Sequence, residues 1–363
     1  MKYDRIFNFN PGPAAVPLEV LEYIHANWFN YKKTGMNIME WSHRSKEYDE
    51  IHNKTAALVK QLLGMGDEFH VLFLQGGASL QFAMVPMNFL LEGKTADYLN
   101  TGSWSSKAIK EAKLFGNVNI AFEGKDVNFT RLPKQQDLKL TKGAAYVHVT
   151  SNNTIKGTQF FKFPETDGVP IVSDMSSDIL SHRFDPKPFG LIYAGAQKNL
   201  GPSGVTLVIV RDDFLKTART GLTTMLQYST HVQENSLFNT PNTFGIFFMG
   251  RVLQWMVDMG GLTAMEKRNQ EKANLLYGYM DGSNGFYRGT VDKDSRSWMN
   301  VCLRLPSEDL EAKFVSEAKA AGFLGLKGHR SVGGIRVSMY NAIPPEAIKE
   351  LIGFMKNFMA KNG

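Results

Sequence analysis

The chain has 363 residues, enough for two domains or for one large α/β domain with a smaller appendage. Hydrophobic residues make up 43% and charged residues 21%, an ordinary globular composition, and no apolar run of 18 residues offers a membrane span. The formal net charge of +6 comes from lysines and arginines dispersed among acids, as in Glu266-Lys267-Arg268-Asn269-Gln270-Glu271-Lys272; this argues against a nucleic-acid face and for small anionic ligands.

The opening Met1-Lys2-Tyr3-Asp4-Arg5-Ile6-Phe7 has no basic segment leading into an apolar one, so export is not expected and the cytoplasm is the expected compartment. Residues 1–15, with Asn8-Phe9-Asn10-Pro11-Gly12-Pro13, read as an irregular arm. A helix is predicted after Pro17, with Leu18, Leu21, Ile24 and Trp28 on one face, and a second from Tyr48 to Leu63. From residue 70 the texture alternates. Strands are predicted at 70–75, 96–100, 118–122, 144–150, 170–174, 191–194 and 205–210, with a helix from Leu80 to Leu91 after the first. This pattern predicts an α/β fold whose large domain, residues 16–258, holds a mostly parallel seven-stranded sheet covered on both faces by helices. Ligands of such sheets bind outside the carboxyl ends of the strands.

Near residue 255 the texture changes. A helix from about Phe244 to Met259 is ended by Gly260-Gly261, and another runs from Leu262 to Met280. Strand, helix, strand and helix then follow at 297–305, 308–321, 334–338 and 345–360, a compact α+β unit expected to form a smaller C-terminal domain, residues 259–363. The single cysteine, Cys302, excludes an internal disulfide and any cysteine-based zinc site, and its alternating neighbours make it a packing residue. No metal site is expected.

One turn between two of these strands carries chemistry. Tyr193-Ala194-Gly195-Ala196-Gln197-Lys198-Asn199-Leu200-Gly201-Pro202-Ser203-Gly204 sets a lysine among small residues. A solvated surface lysine does not need such neighbours. A lysine that must reach the aldehyde of a bound ring does, which points to a Schiff base between Lys198 and pyridoxal phosphate. The preceding strand ends in Val172-Ser173-Asp174, placing a carboxylate at the same sheet edge, where it can pair with a protonated pyridine nitrogen. Gln75-Gly76-Gly77-Ala78-Ser79-Leu80 joins a strand to a helix through small residues and suits a phosphate dianion on free N–H groups, without a Walker loop's Gly-Lys pair. Thr101-Gly102-Ser103-Trp104-Ser105-Ser106 offers an indole in a polar loop, able to stack on a ring.

With these segments in view, the chain resembles the phosphoserine aminotransferase family, class-V aminotransferases among the pyridoxal-phosphate enzymes of fold type I, over nearly its whole length. The resemblance is carried by Phe7-Asn8-Phe9 with Pro11-Gly12-Pro13-Ala14, Ser42-His43-Arg44, Gly76-Gly77-Ala78-Ser79, and Ala194-Gly195-Ala196-Gln197-Lys198-Asn199. It continues in Phe238-Asn239-Thr240-Pro241, Leu326-Lys327-Gly328-His329-Arg330, Gly333-Gly334-Ile335-Arg336 and Tyr340-Asn341-Ala342. It implies pyridoxal 5'-phosphate as cofactor, with Lys198 and Asp174 catalytic. Ala78, Ser79, Trp104, Thr154 and Gln197 are implied cofactor contacts. Asn239 and Thr240 would reach the cofactor phosphate across the interface of a homodimer.

The basic residues suggest the substrate independently. His43-Arg44 and His329-Arg330 are two pairs far apart in sequence, and Arg336 is a third cationic position. Arginine grips carboxylate or phosphate bidentately, and histidine adds a donor. One arginine for an α-carboxylate and a cluster for a distal anion describe an amino acid such as O-phosphoserine or glutamate. The resemblance assigns Arg336 to the α-carboxylate and the His-Arg pairs to the distal anion, and implies transamination between O-phosphoserine/2-oxoglutarate and 3-phosphohydroxypyruvate/glutamate. 4-Phosphohydroxythreonine fits the same description. A cysteine desulfurase would need a mobile thiol, which Cys302 in its strand does not provide. Transaminases of alanine, serine or glyoxylate have no need of two His-Arg pairs.

Overall fold

The computed structural model describes residues 2–363. Its first elements are β1 (Phe7–Asn8), α1 (Leu18–Ala26), α2 (Lys46–Leu63), β2 (Phe69–Leu74), α3 (Gly77–Phe89), β3 (Thr95–Asn100), α4 (Ser103–Ala112), β4 (Asn117–Glu123), β5 (Val147–Thr150), β6 (Ile171–Asp174), β7 (Phe189–Gly195) and β8 (Thr206–Arg211). There follow α5 (Asp212–Leu215), α6 (Tyr228–Gln233), α7 (Thr243–Asp258), α8 (Gly261–Asp281), β9 (Arg288–Gly289), β10 (Asn300–Arg304), α9 (Glu308–Ala320), β11 (Phe323–Leu324), β12 (Ile335–Ser338) and α10 (Pro345–Asn362). No helix among the described residues is long and apolar enough to cross a membrane.

A seven-stranded sheet runs in the order β2-β8-β7-β6-β5-β3-β4. The pairs from β4 to β7 are parallel, and β8 is antiparallel to both of its neighbours, so β2 points the same way as β7. Alternate side chains feed two cores. Ile171, Ile192 and Ile209 pack with Val59 and Leu62 of α2 and with Leu253 and Met256 of α7. Val172, Leu191 and Val208 pack on the other face with Phe82 and Val85 of α3 and with Ala108 and Ile109 of α4. Every residue of β7 is buried, which is why that strand reads as an apolar run and not as an alternation.

The helix ends follow local rules. The Ser45 hydroxyl accepts the Tyr48 N–H at the start of α2, and Gly64 closes that helix at φ 64°. Gly260 and Gly261, at φ 99° and 73°, turn the chain from α7 into α8.

Strands β12, β10 and β9 form an antiparallel sheet. Val301, Leu303 and Val337 from it share a core with Leu276 and Met280 of α8, Phe314 of α9, and Leu351 and Met355 of α10. Cys302 is buried on the opposite face of β10, with its Sγ 3.4 Å from Ile155 C=O, as its alternating pattern predicts, and burial pushes its thiol up to about 12. Two expectations are corrected. The N-terminal arm is not wholly irregular: β1 pairs in parallel with β11, Phe7 stacks on Phe323 at 5.6 Å, and Phe9 is fully buried in the second core. Trp104 lies in the first turn of α4, not in a loop. That helix buries Ser105, Ala108, Ile109 and Ala112, a proper i, i+3, i+4, i+7 face in which Ile109 is the one strongly apolar member.

Candidate active site

Strand direction assembles the site. The carboxyl ends of β2, β3, β5, β6 and β7 lie at one edge of the sheet, and after them come Gly76-Gly77, Gly102-Ser103-Trp104, Asn152-Asn153-Thr154, Ser176-Ser177 and Gln197-Lys198. Thr150 pairs in register with Asp174, and Asp174 with Tyr193. A cavity of 280 Å³ opens there, lined by Ala78, Ser79, Trp104, Thr154, Asp174, Gln197, Lys198, His329 and Arg336, together with Pro11, Gly12, Asn152, Ser176 and Ser177. A wider groove of 600 Å³ lies beside Phe163 and Phe184, but it does not collect this chemistry.

The Lys198 turn is held at both ends. Gly201 N–H bonds Ala196 C=O, and Ala14 N–H bonds Gln197 C=O at 2.9 Å, which draws the N-terminal arm over the lysine. A Cβ on Gly12, whose φ is 135°, would meet Lys198 Cγ at 3.4 Å. Lys198 Nζ donates to Thr154 Oγ1 at 3.2 Å and stands 5.8 Å from the centre of the Trp104 ring. Burial holds its amine below the ordinary lysine range, and the field of Arg336 adds to this against the opposing pull of Asp174 and Asp178. A lysine so placed is closer to its neutral, nucleophilic form.

Asp174 is buried, and burial raises its pKa while bonds from Ser176 and the charge of Lys198 lower it. Its Oδ1 accepts the Ser176 N–H at 2.9 Å. Arg336, on β12, is buried and donates through Nη1 to Thr154 C=O at 3.1 Å. Burial holds its guanidinium below its ordinary value; the groups that raise it are Cys302 and Tyr340, neither a carboxylate. Among the described residues no carboxylate forms an ion pair with it. His329 is pushed down by partial burial and by the nearby cations Arg336, Arg330 and Lys107. These four basic groups share one neighbourhood.

The residues present fit a pyridoxal phosphate. The first turn of α3, behind Gly76 and Gly77 at φ 87° and 66°, offers N–H groups at the positions of Ala78 and Ser79. The Trp104 indole has a buried N–H without a partner and a face open to the cavity. The buried Asp174 calls for a cation that the protein does not place against it.

Other predicted residues are not gathered in this cavity. Asn239 bonds Gln75 Oε1 at 3.2 Å, beside the Gly76 turn, and Thr240 is exposed. His43 is half-buried with an unpartnered Nε2, Arg44 is exposed, and Arg330 is exposed on the turn that carries His329.

Sequence reasoning missed Lys107, whose Nζ lies 4.3 Å from the Trp104 ring centre, and Asp178. Asp178 sits behind Asp174 and accepts from Ser151 Oγ and, at 3.2 Å, from Gln159 Nε2. Burial pushes its carboxyl up to about 7. Only its distance of four residues from Asp174 hinted at it.

Buried titrating groups make stability depend on pH in opposite senses. His148 and His182 are pushed down by burial to about 3 and about 4. The unfolded chain protonates them near pH 6.5, so each withdraws ~1.4 kcal/mol of stability per pH unit as pH falls from there toward its folded value. Asp178, raised to about 7 in the fold, acts oppositely and favours the fold increasingly as pH falls from 7 toward the unfolded carboxylate value. Urea unfolding at several pH values is expected to show a shallower acid slope for His148→Gln and a steeper one for Asp178→Asn. Unchanged slopes would refute the titrations assigned to these groups.

The fold and this site define a class of protein, and comparison with known proteins agrees. Residues 6–351 match the model of the family described as aminotransferase class-V, and the chain belongs to that family. It is 60% identical over 361 residues to the phosphoserine aminotransferase of Desulfosudis oleivorans, covering 99% of each. The solved phosphoserine aminotransferase of Bacillus circulans subsp. alkalophilus superposes with a TM-score of 0.97 at 55% identity, over 99% of this chain and 100% of that one. A pyridoxal-phosphate-bound phosphoserine aminotransferase from Trichomonas vaginalis superposes at 0.92 with 39% identity, covering 97% of this chain and 100% of that one.

Proposed function

We propose that the chain is a pyridoxal-phosphate-dependent phosphoserine transaminase. It reversibly moves an amino group between O-phospho-L-serine and 2-oxoglutarate, giving 3-phosphohydroxypyruvate and L-glutamate, the transamination of serine biosynthesis. The observation that carries the reading is a lysine and a buried acid at one sheet edge, faced by a buried arginine without a carboxylate partner and a histidine among cations. 4-Phospho-hydroxy-L-threonine presents the same two anions and fits the same reading.

Ala78 and Ser79 at the start of α3 would hold the cofactor phosphate, Gln197 would support it, and Trp104 would stack on the ring. Thr154 would meet its phenolic oxygen, and Asp174 would pair with its ring nitrogen. The bound cofactor supplies a conjugated pyridinium that withdraws electrons from the substrate's Cα. Asp174 keeps the ring nitrogen protonated. Arg336 holds the α-carboxylate, which aims the Cα–H at Lys198, and the Lys198 amine removes and returns that proton. His329 and Arg330 receive the distal phosphate or carboxylate.

His43, Arg44, Asn239 and Thr240 are assigned to the partner's site in a homodimer. The exposed Phe29, Met36 and Met39 precede His43 in sequence, and the exposed Phe238 adjoins Asn239, an apolar surface that suits a second copy of the chain. Refolding Lys198→Ala chains together with Arg44→Ala chains is expected to regain about a quarter of wild-type activity, because half the dimers then carry one intact site. No recovery would place Arg44 in its own subunit's site. The cytoplasm is the compartment proposed, and the divisions at 15/16 and 258/259 are the proposed domain boundaries.

The direct test is spectroscopic. The holoenzyme's visible band should bleach with O-phosphoserine, return with 2-oxoglutarate and ignore unphosphorylated serine. A band that responds to serine or alanine and not to phosphoserine would keep the class and discard the substrate.

A further inference from the structure

Two cavities share one wall. His329 lines both the 280 Å³ cavity of Lys198 and a groove of 700 Å³ whose other walls include Glu308, Glu311, Lys327 and Val332. The wall is the turn of residues 327–334. Its neck is closed by the Gly328 N–H on Gly334 C=O at 2.8 Å, and its interior by the Val332 and Gly333 N–H groups on His329 C=O at 2.9 Å. His329 Nδ1 pairs with Ser331 Oγ at 2.8 Å, which leaves Nε2 as the ring's free nitrogen. The turn is closed tightly upon itself: a Cβ on Gly328 would stand 1.9 Å from Gly333 O.

With a groove on one side and a cavity on the other, the tip of this turn has little to rest on. The Arg304 side chain meets it. Arg304, the last residue of β10, donates through Nε to Glu311 Oε1 at 2.5 Å and through Nη1 to Val332 C=O at 3.4 Å. Its Nη2 stands 3.4 Å from Glu308 Oε1. Its stem runs beneath the glycines: a Cβ on Gly334, whose φ is 72°, would meet Arg304 Cδ at 2.8 Å and Leu303 O at 2.6 Å. Glu311 is itself fixed, since it is buried and also accepts the Leu305 N–H at 3.2 Å. The guanidinium therefore bridges a fixed carboxylate on α9 to the backbone of the turn, a task that needs a planar fork of donors and not a point charge.

We propose that Arg304, anchored by Glu311, is a positioning residue that holds the 327–334 turn so that His329 and Arg330 meet the substrate's distal anion in a fixed geometry. This rests on the assignment of that turn to the distal anion. Arg304 does not line the Lys198 cavity, so it acts through the turn alone.

The decisive variant is Arg304→Lys, which keeps a cation beside Glu311 and loses the fork; Arg304→Ala would leave a buried carboxylate unpaired and endanger the fold. In the holoenzyme, Arg304→Lys is expected to raise KM for O-phosphoserine about tenfold and to weaken competitive inhibition by inorganic phosphate in parallel, with kcat within about twofold of wild type. In a His329→Ala, Arg330→Ala background the same substitution should change KM by less than about twofold, because coupled residues are not additive. An unchanged KM in Arg304→Lys, or a tenfold effect that persists in the double-alanine background, overturns the proposal. If the double-alanine variant alone leaves KM for O-phosphoserine unchanged, the assignment of the turn to the anion fails, and the role of Arg304 fails with it.

Discussion

Replacing Lys198 by alanine is expected to lower kcat about 10³- to 10⁴-fold, the scale of losing a positioned general acid–base. Pyridoxal phosphate should nevertheless remain bound through the start of α3, Trp104 and Asp174. The lysine's role is electrostatic as well as geometric. A proton carrier must be able to shed its proton near neutral pH, and burial in this cavity depresses the Lys198 amine in that direction, with the Arg336 field helping. The charges of Asp174 and Asp178 pull the other way. Lys198→Arg should fail for the converse reason, since a guanidinium stays protonated and cannot take a proton from Cα. Thr154, which accepts from Nζ at 3.2 Å, holds the amine over the cavity but has no basic group to replace it. Stopped-flow absorbance with O-phosphoserine measures the rate, and cofactor retained after gel filtration measures occupancy. Near-normal turnover in Lys198→Ala would remove the lysine from the mechanism.

Which parts of this molecule its sequence discloses follows from where the stabilising contacts lie. Strands β5 to β8 were legible because both faces of the sheet are covered there, so the buried run is written continuously in one segment. The placement of Lys198 and Asp174 at one sheet edge was legible for a related reason, since each signal is local: small residues flank the lysine, and the acid ends an apolar strand. Trp104 was misplaced because the buried face of α4 offers one strongly apolar residue, Ile109, among Ser105, Ala108 and Ala112, a weak signal for a helix start. The pairing of Phe7 with Phe323 joins opposite ends of the chain in strands of two residues, and no local pattern signals such a contact. Asp178 owes its raised carboxyl to burial, and the bonds that temper it come from Ser151 and Gln159 in the chain that follows β5. Arg304 likewise acquires its contacts from a helix and a turn that follow it. A carboxylate or guanidinium whose role is set by distant partners looks, in sequence, like any surface charge.

Asp174→Asn should separate catalysis from stability. We expect kcat to fall about 10²- to 10³-fold, because an amide of the same shape cannot hold a proton on the ring nitrogen and the electron withdrawal from Cα weakens accordingly. The same substitution should leave the cofactor-free protein as stable as wild type or more so. Asp174 is buried, accepts from Ser176 at 2.9 Å, and feels Lys198 as the one cation whose field lowers its pKa. A buried carboxylate without a close counter-charge weakens the fold, and an asparagine in its place removes that penalty. When pyridoxal phosphate binds, its ring nitrogen brings the missing positive charge, so wild type should gain more from the cofactor than the variant does. Melting temperatures of both proteins, with and without cofactor, test this directly: the cofactor-induced rise should shrink in Asp174→Asn while the cofactor-free value holds or increases. An equal rise in both would mean that Asp174 does not meet the charged ring, and its place in the mechanism would have to be given to another acid, with Asp178 the nearest candidate in the same buried network.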